Sequence, residues 1–561
     1  MTLHQWKPGL VAAAVLAITT SLPQIYLCYE RGSKWNGAFA SFDTDEFAYS
    51  AYVNALIHER PRLNDPYTGQ DGGSFETLFS IQFFPAYSSA IPARILGVSA
   101  STTFIILLPV ITIASTLILF LFLFELTQNE ILSGIGAFGV LCFGWLAASA
   151  PWIFFSPHVA FPFLRRYMPA FPFPFLLATT LFAWWALVKN SLLWSFLTGL
   201  TLVVLIYSYF FLWTAAAAWL AVLMTLWIVA RPHDRQTIWR VFGVIGLMGM
   251  IALIPYAWLI TFRRPVIDQA QLVVEFTRRP DLLRGPEIYG TMIFLGLIGR
   301  NWRQPKTLFM LSFALAPFLV FNQQIITGRS VQPFHYEQFI ANYWVLIGLF
   351  LAFALRWKVP RRVVVYMVIA TLSLGPTYGL IAALGRLKTN VAVDKGRAAA
   401  LKLDGSGMVF ATNRDVMNSL AATGSNPVLW ARYLLTFSNV DYEEQKRRFY
   451  QYLYYSRIGE DDLRTSLNRE GDSARFEIFG VDRANPGLTS NPRPITPEEV
   501  ERAIDEYRYF TSTFSRTEAS TPQLFYAIVS PLDDLSNLDK WYERDGGERV
   551  EDLIVYRLKL K

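Results

Sequence analysis

Three carboxylates crowd into four positions of the stretch SFDTDEF, residues 41–47: Asp43, Asp45 and Glu46. Acids packed so closely at a helix start cap the helix, take a proton from a hydroxyl as general base, or hold a divalent cation, Mg or Mn, that neutralises a phosphate. Asp43 and Glu46 have the spacing of N-cap and N3, so a reciprocal capping box for a helix over 44–57 accounts for both, and first-turn acids suit the helix dipole. Asp45 has no such duty. It is the leading catalytic candidate, with Asp43 and Glu46 as helpers and Asp43 with Asp45 as the candidate metal pair.

Density supports chemistry here, because eight of the 16 acids in the first 384 residues lie between positions 30 and 76. If the leaving group is a phosphate, guanidinium groups should face it, since arginine presents a planar fork to phosphate oxygens. Arg165 and Arg166, in PWIFFSPHVAFPFLRRYMP, are the first candidates, and the plain alternative is that they snorkel to headgroups. That stretch also offers His158 but no carboxylate. The run NQQIITGRSVQPFHYEQF, 322–339, adds Arg329 as a further guanidinium and Gln324 and His335 as polar groups that can hydrogen-bond substrate hydroxyls. A loop turned by Gly328 and Pro333 is the plainer account of it.

Positioning these groups falls to a greasy chain. The 561 residues are 53% hydrophobic and 17% charged, a membrane composition. Runs near span length occur at 8–29, 102–125, 131–150, 169–188, 191–208, 212–230, 241–262, 288–299, 307–322, 339–355 and 363–384. That predicts about eleven transmembrane helices. The N-terminal run is span-length with no small-residue cleavage pattern, so it is expected to stay as the first span.

Bases cluster in alternate loops, at Lys7, Lys189, Arg231 to Arg240, Arg300 to Lys306 and Arg356 to Arg362, which the positive-inside rule assigns to the cytosol. The loop around Glu125 to Glu130 lacks a base. Residues 30–101 and the whole tail then lie together outside. Arg263, Arg264, Arg278, Arg279 and Arg284 crowd one outer loop against that bias. The segment 78–100, broken by Pro85, Pro92 and Arg94, is expected to lie along the interface rather than cross. The aromatic run YSYFFLWT, 207–214, reads as an interfacial belt.

The net charge of +7 is spread over short loop clusters rather than one face, which excludes a nucleic-acid partner. No ionisable group sits at mid-span, which disfavours a coupled transporter. Cys28 and Cys142 lie far apart in apolar segments and support no disulfide framework. Residues 385–561 hold 27 of the 43 acids. There, short strands at 407–412, 474–480, 523–529 and 552–558 and a helix capped by Thr496, Pro497 and Glu499 predict a soluble α/β domain shaping the site.

An outer Asp45-Glu46 pair followed by Tyr49 and Tyr52 after span one, then an interfacial segment, many spans and an extracytoplasmic C-terminal domain, resembles the GT-C superfamily of lipid-linked-sugar glycosyltransferases. Protein O-mannosyltransferases and aminoarabinose lipid A transferases are the relatives it looks most like. The resemblance implies a polytopic α-helical fold over 1–384, with an α/β domain over 385–561, in a bacterial cytoplasmic membrane. It implies transfer from a polyprenyl-phosphate sugar to a glycan, lipid or protein acceptor, with Asp45 as the first-loop catalytic acid. The rival expectation is a non-catalytic protein of the same architecture that supports envelope polysaccharide assembly or export.

Overall fold

The computed structural model describes residues 2–148, 161–266, 268, 271–281, 284–356, 360–437, 440–485, 488, 489 and 492–561, without the side chains of residues 145–148 and 361. Long apolar runs form the helices α1 (Leu3–Arg31), α4 (Ala100–Thr127), α5 (Glu130–Ala148), α6 (Phe173–Lys189), α7 (Leu192–Ile206), α8 (Phe210–Ala230), α9 (Arg235–Thr261), α10 (Gly285–Gly296), α11 (Pro305–Asn322), α12 (Asn342–Arg356) and α13 (Arg361–Gly385). Each expected span falls on one of these. Among the described residues, seven segments, those built on α1, α4, α8, α9, α11, α12 and α13, are long and apolar enough to cross a membrane. The rest are shorter, and α10 has only 12 residues. This is the body of an integral membrane protein.

Close approach of the helices needs small residues where they touch. A Cβ on Gly290 would collide with the carbonyl of Ala314, and one on Gly379 with that of Thr19. The basic turns gather at one end of the bundle, where Lys306 Nζ donates to Leu126 O, Arg300 to Leu355 O and Arg356 to Gly296 O. At the other end sit α2 (Asp45–Ile57) and α3 (Phe84–Leu96). Only 13 residues long, α3 buries Ala86, Ala90 and Ala93 on one side and exposes Ile91, Ile95 and Leu96 on the other. That is the face pattern of a short surface helix.

The arginine-rich loop after α9 is tied down by its own acids and by groups of the segment between α11 and α12. Arg263 pairs with Asp268, Arg284 with Asp281 and Glu337, and Arg278 donates to Ile325 O and Ile326 O. A two-stranded antiparallel ribbon, β1 (Val274–Phe276) with β2 (Arg329–Val331), joins this loop to the one before α12.

After α14 (Leu387–Ala400), the C-terminal domain carries β3 (Met408–Ala411), β4 (Leu524–Val529), β5 (Tyr542–Arg544), β6 (Glu548–Val550) and β7 (Leu553–Leu560). β3 pairs parallel with β4, β4 antiparallel with β7, and β7 antiparallel with both β5 and β6. Helix α15 (Tyr442–Tyr455) packs on the sheet through Tyr452 and Tyr455 against Phe410, and α16 (Ser473–Phe479) and α17 (Pro497–Thr513) pack against α15. The Thr496 and Glu499 capping box forms as expected.

One expected strand is corrected. Residues 474–480 form most of α16, because Asp472 caps Ala474 N at 3.0 Å and the buried positions Ala474, Glu477 and Ile478 follow helical spacing. The domain is anchored beside α2. Arg31 bridges Asp394 and Glu551, Asp394 accepts from Asn36 N and Ala38 N, and Asn54 Nδ2 donates to Ala421 O and Gly424 O.

Candidate active site

The acidic stretch divides its labour differently from a capping box. Asp43 Oδ1 accepts from Asp45 N at 3.1 Å and from the Thr44 hydroxyl, and the helix opens at Asp45. Glu46 turns back to accept from Phe42 N at 3.2 Å and takes Arg166 Nη1 at 2.8 Å. The side chains of Glu46 and Arg166 are 0% and 1% exposed. Burial lifts the Glu46 carboxyl to about 7, against the pull of Arg166. Arg166 also donates to Ala40 O and Phe104 O, so one guanidinium ties the first loop to α4.

Asp45 points the other way. Its Oδ2 pairs with Arg165 Nη1, and its Oδ1 accepts from the Tyr433 hydroxyl at 2.6 Å. Arg165 is fixed by Met168 O at 2.9 Å, by the Tyr209 hydroxyl at 3.1 Å and by the ring of Phe339 at 4.7 Å. Phe339 lies in a π-helical turn, Glu337–Ala341, that leads into α12, and such turns often mark working sites. Adjacent in sequence, Arg165 and Arg166 thus serve different carboxylates on the same helix.

A cavity of about 1090 Å³ opens beside Asp45. From the helical body it is lined by Asp43, Asp45, Tyr49, Gln82, Arg165, Tyr209, His335 and Gln338, and from the ribbon by Val274 and Phe276. Arg432, Tyr433, Gln445, Phe476 and Glu477 complete it from the C-terminal domain. Next to it, sharing Leu78 and Val274, is a second cavity of about 390 Å³ with apolar walls from Phe210, Ile260, Leu319 and Val320. Arg263, Asp268 and Arg329 also line that second space.

Of the expected site residues, Asp43, Asp45, Arg165 and His335 meet in the main cavity. His335 is wedged against Phe211 at 4.8 Å, and its Nδ1 bonds to no described residue. Glu46 and Arg166 are paired outside the lining. Arg329 borders the smaller cavity. Gln324 is buried and donates to Arg279 O. His158 lies outside the described residues. For a divalent cation the lining offers the Asp43 and Asp45 carboxylates, and no group of three or more His, Cys, Asp or Glu side chains converges among the described residues.

Four contributors escaped the sequence reading. Tyr209, read as part of an aromatic belt, is buried and accepts from Arg165. Arg432, Tyr433 and Glu477 belong to segments with no recognisable motif. The only sequence hint is compositional, two aromatic residues flanking Ala431 and Arg432 in the stretch WARY, 430–433.

No protein-family model and no curated protein matches the sequence. Among solved structures, the chain is similar to the archaeal oligosaccharyltransferase AglB from Archaeoglobus fulgidus in complex with an inhibitory peptide and a dolichol-phosphate, at TM-score 0.45 and 11% identity, covering 99% of this chain and 74% of that one. The Archaeoglobus fulgidus oligosaccharyltransferase in its apo form gives TM-score 0.44 and 12% identity, over 93% of this chain and 69% of that one. ArnT from Cupriavidus metallidurans bound to undecaprenyl phosphate gives TM-score 0.46 and 11% identity, over 98% and 96%.

Proposed function

We propose that this chain is a membrane glycosyltransferase that moves a sugar from a polyprenyl-phosphate donor to a hydroxyl of a glycan, lipid or protein acceptor, at the outer face of a bacterial cytoplasmic membrane. The observation that carries the reading is the placement of Asp45. It stands at the wall of a large cavity, between an arginine of the helical body and a tyrosine of the C-terminal domain.

The chemistry follows from the groups that meet there. The acceptor oxygen attacks the anomeric carbon, the bond from that carbon to the phosphate oxygen breaks, and its electron pair leaves with the polyprenyl phosphate. Asp45 takes the hydroxyl proton as general base. A carboxylate has about four lone-pair sites, so the bonds to Arg165 and Tyr433 leave acceptor capacity on both oxygens. Asp43, beside it, orders the first turn. Arg165 balances the charge that develops on the leaving phosphate. The smaller apolar cavity suits the first isoprene units, with Arg329 at its rim, while Gln338 and His335 face the sugar. Glu46 and Arg166 hold the loop rather than touch substrate. A divalent cation, where one is used, would sit on Asp43 and Asp45 and add to the neutralisation of the phosphate.

One observation favours the rival, a non-catalytic member of the same architecture: Asp45 already has two partners. The two readings separate in one assay. Purified protein in phosphatidylethanolamine and phosphatidylglycerol vesicles is given a panel of radiolabelled polyprenyl-phosphate sugars together with an envelope extract as acceptor. Label leaving the lipid only when protein is present supports the enzyme. Label that stays on every lipid contradicts it.

A further inference from the structure

Arginines that line the main cavity are mostly spoken for. Arg165 pairs with Asp45, Arg483 with Glu499 and Arg493 with Asp482. Arg432 is different. Its guanidinium lies over the ring of Phe476 at 4.4 Å and near that of Tyr433 at 5.7 Å, and makes no ion pair or hydrogen bond to any described residue. The backbone beneath it is held, with Arg432 N donating to Asn418 Oδ1 at 2.9 Å. This side chain is partly buried, and it is adjacent in sequence to the tyrosine that bonds Asp45.

Five N–H donors on a fixed plane, shielded from much of the solvent and left without acceptors, are costly to keep unless something brings oxygens to them. Stacking on Phe476 orients the plane without using its donors. An arginine that lines a cavity while an aromatic ring braces its guanidinium is suited to receive a bidentate oxyanion.

We propose that Arg432 is an anion-binding residue of the site, supplied by the C-terminal domain, and that it grips a phosphate of the substrate from the wall opposite the helical body. The C-terminal domain then takes part in substrate recognition and is more than a cover. This rests on the glycosyltransferase reading for which substrate is meant, but its binding test does not require turnover.

The experiment uses the full-length protein in detergent micelles, with undecaprenyl phosphate and inorganic phosphate as two separate probes and the thermal unfolding midpoint as a check on folding. Arg432→Gln should weaken undecaprenyl phosphate binding about tenfold or more, the size of a lost charge-assisted pair. Arg432→Lys should recover only part of it, because the ammonium lacks the planar fork. Weakening of both probes assigns the phosphate group of the lipid donor. Weakening for inorganic phosphate alone still supports an oxyanion site and assigns it to a water-soluble acceptor. If both variants fold like the wild type and bind both probes equally well, the proposal is overturned. Asp45→Asn should retain undecaprenyl phosphate binding, so a failure of the catalytic reading shows separately from a failure of this one.

Discussion

Tyr433 Oη lies 2.6 Å from Asp45 Oδ1, a hydrogen bond that spans 388 positions of sequence and joins the C-terminal domain to the first turn of α2. The same hydroxyl oxygen also lies 2.9 Å from Thr44 Oγ1. The contact puts the acidic stretch and the folded tail on one side of the bundle. Tyr433→Phe removes it with almost no change in volume. A hydrogen bond to a charged group contributes roughly 1.5–3 kcal/mol to the folded state and here also fixes Asp45, so turnover should drop about tenfold or more and the unfolding midpoint should fall modestly with it. Steady-state kinetics with labelled lipid-linked sugar, alongside thermal unfolding, check this.

The Glu46 and Arg166 pair makes the opposite prediction, for stability rather than chemistry. Removing one partner strands a buried charge, and such losses run to about 3–5 kcal/mol. Arg166→Met should therefore lower the unfolding midpoint in detergent sharply. The double variant Glu46→Gln with Arg166→Met, which removes the stranded charge but leaves Ala40 O and Phe104 O without their donor, should recover part of the loss. A double-mutant cycle measures the coupling.

Glu477 gives the C-terminal domain a pH dependence. It is fully buried, its Oε2 accepts from Trp430 Nε1 at 3.2 Å and from Gln445 Nε2 at 2.5 Å, and burial pushes the carboxyl up to about 7 from an ordinary 4.5. A folded-state value above the unfolded one means that the folded chain holds a proton the unfolded chain releases. The stabilisation is complete below about pH 4.5 and is lost as pH rises through 7, a difference on the order of 3 kcal/mol. Glu46 shifts in the same direction, so the readout must be local. Hydrogen-exchange protection of residues 473–479, corrected for intrinsic rates, should fall over that window in the wild type and stay flat in Glu477→Gln.

Metal dependence follows from the lining. Asp45 already faces the Arg165 guanidinium, and Glu46 has turned away to Arg166. Turnover should therefore persist after EDTA treatment. A loss that Mg or Mn restores would make Asp43 and Asp45 a cation pair instead.

What the sequence made legible was local. Apolar runs bounded by bases locate the helices because span length and charge bias act within some 30 residues, and Asp45 stands out because no capping duty explains it. Pairings across the fold stayed hidden. Nothing in the LRR dipeptide says that Arg165 serves Asp45 while Arg166 serves Glu46, since each bond closes over 120 positions. The strand expected at 474–480 fails for the same kind of reason: ARFEIF alternates well enough for a sheet, and only the cap at Asp472 and the partners of Glu477 decide for helix. Arg432 and Tyr433 carry no motif and acquire meaning only where the tail meets α2.

The central claim is that Asp45 drives sugar transfer, and Asp45→Asn tests it most directly. In vesicles carrying the labelled lipid-linked sugar that the wild type turns over, the account predicts a rate at least about a hundredfold lower for a correctly folded variant, the usual scale of a lost general base. Transfer at the wild-type rate by Asp45→Asn would contradict it.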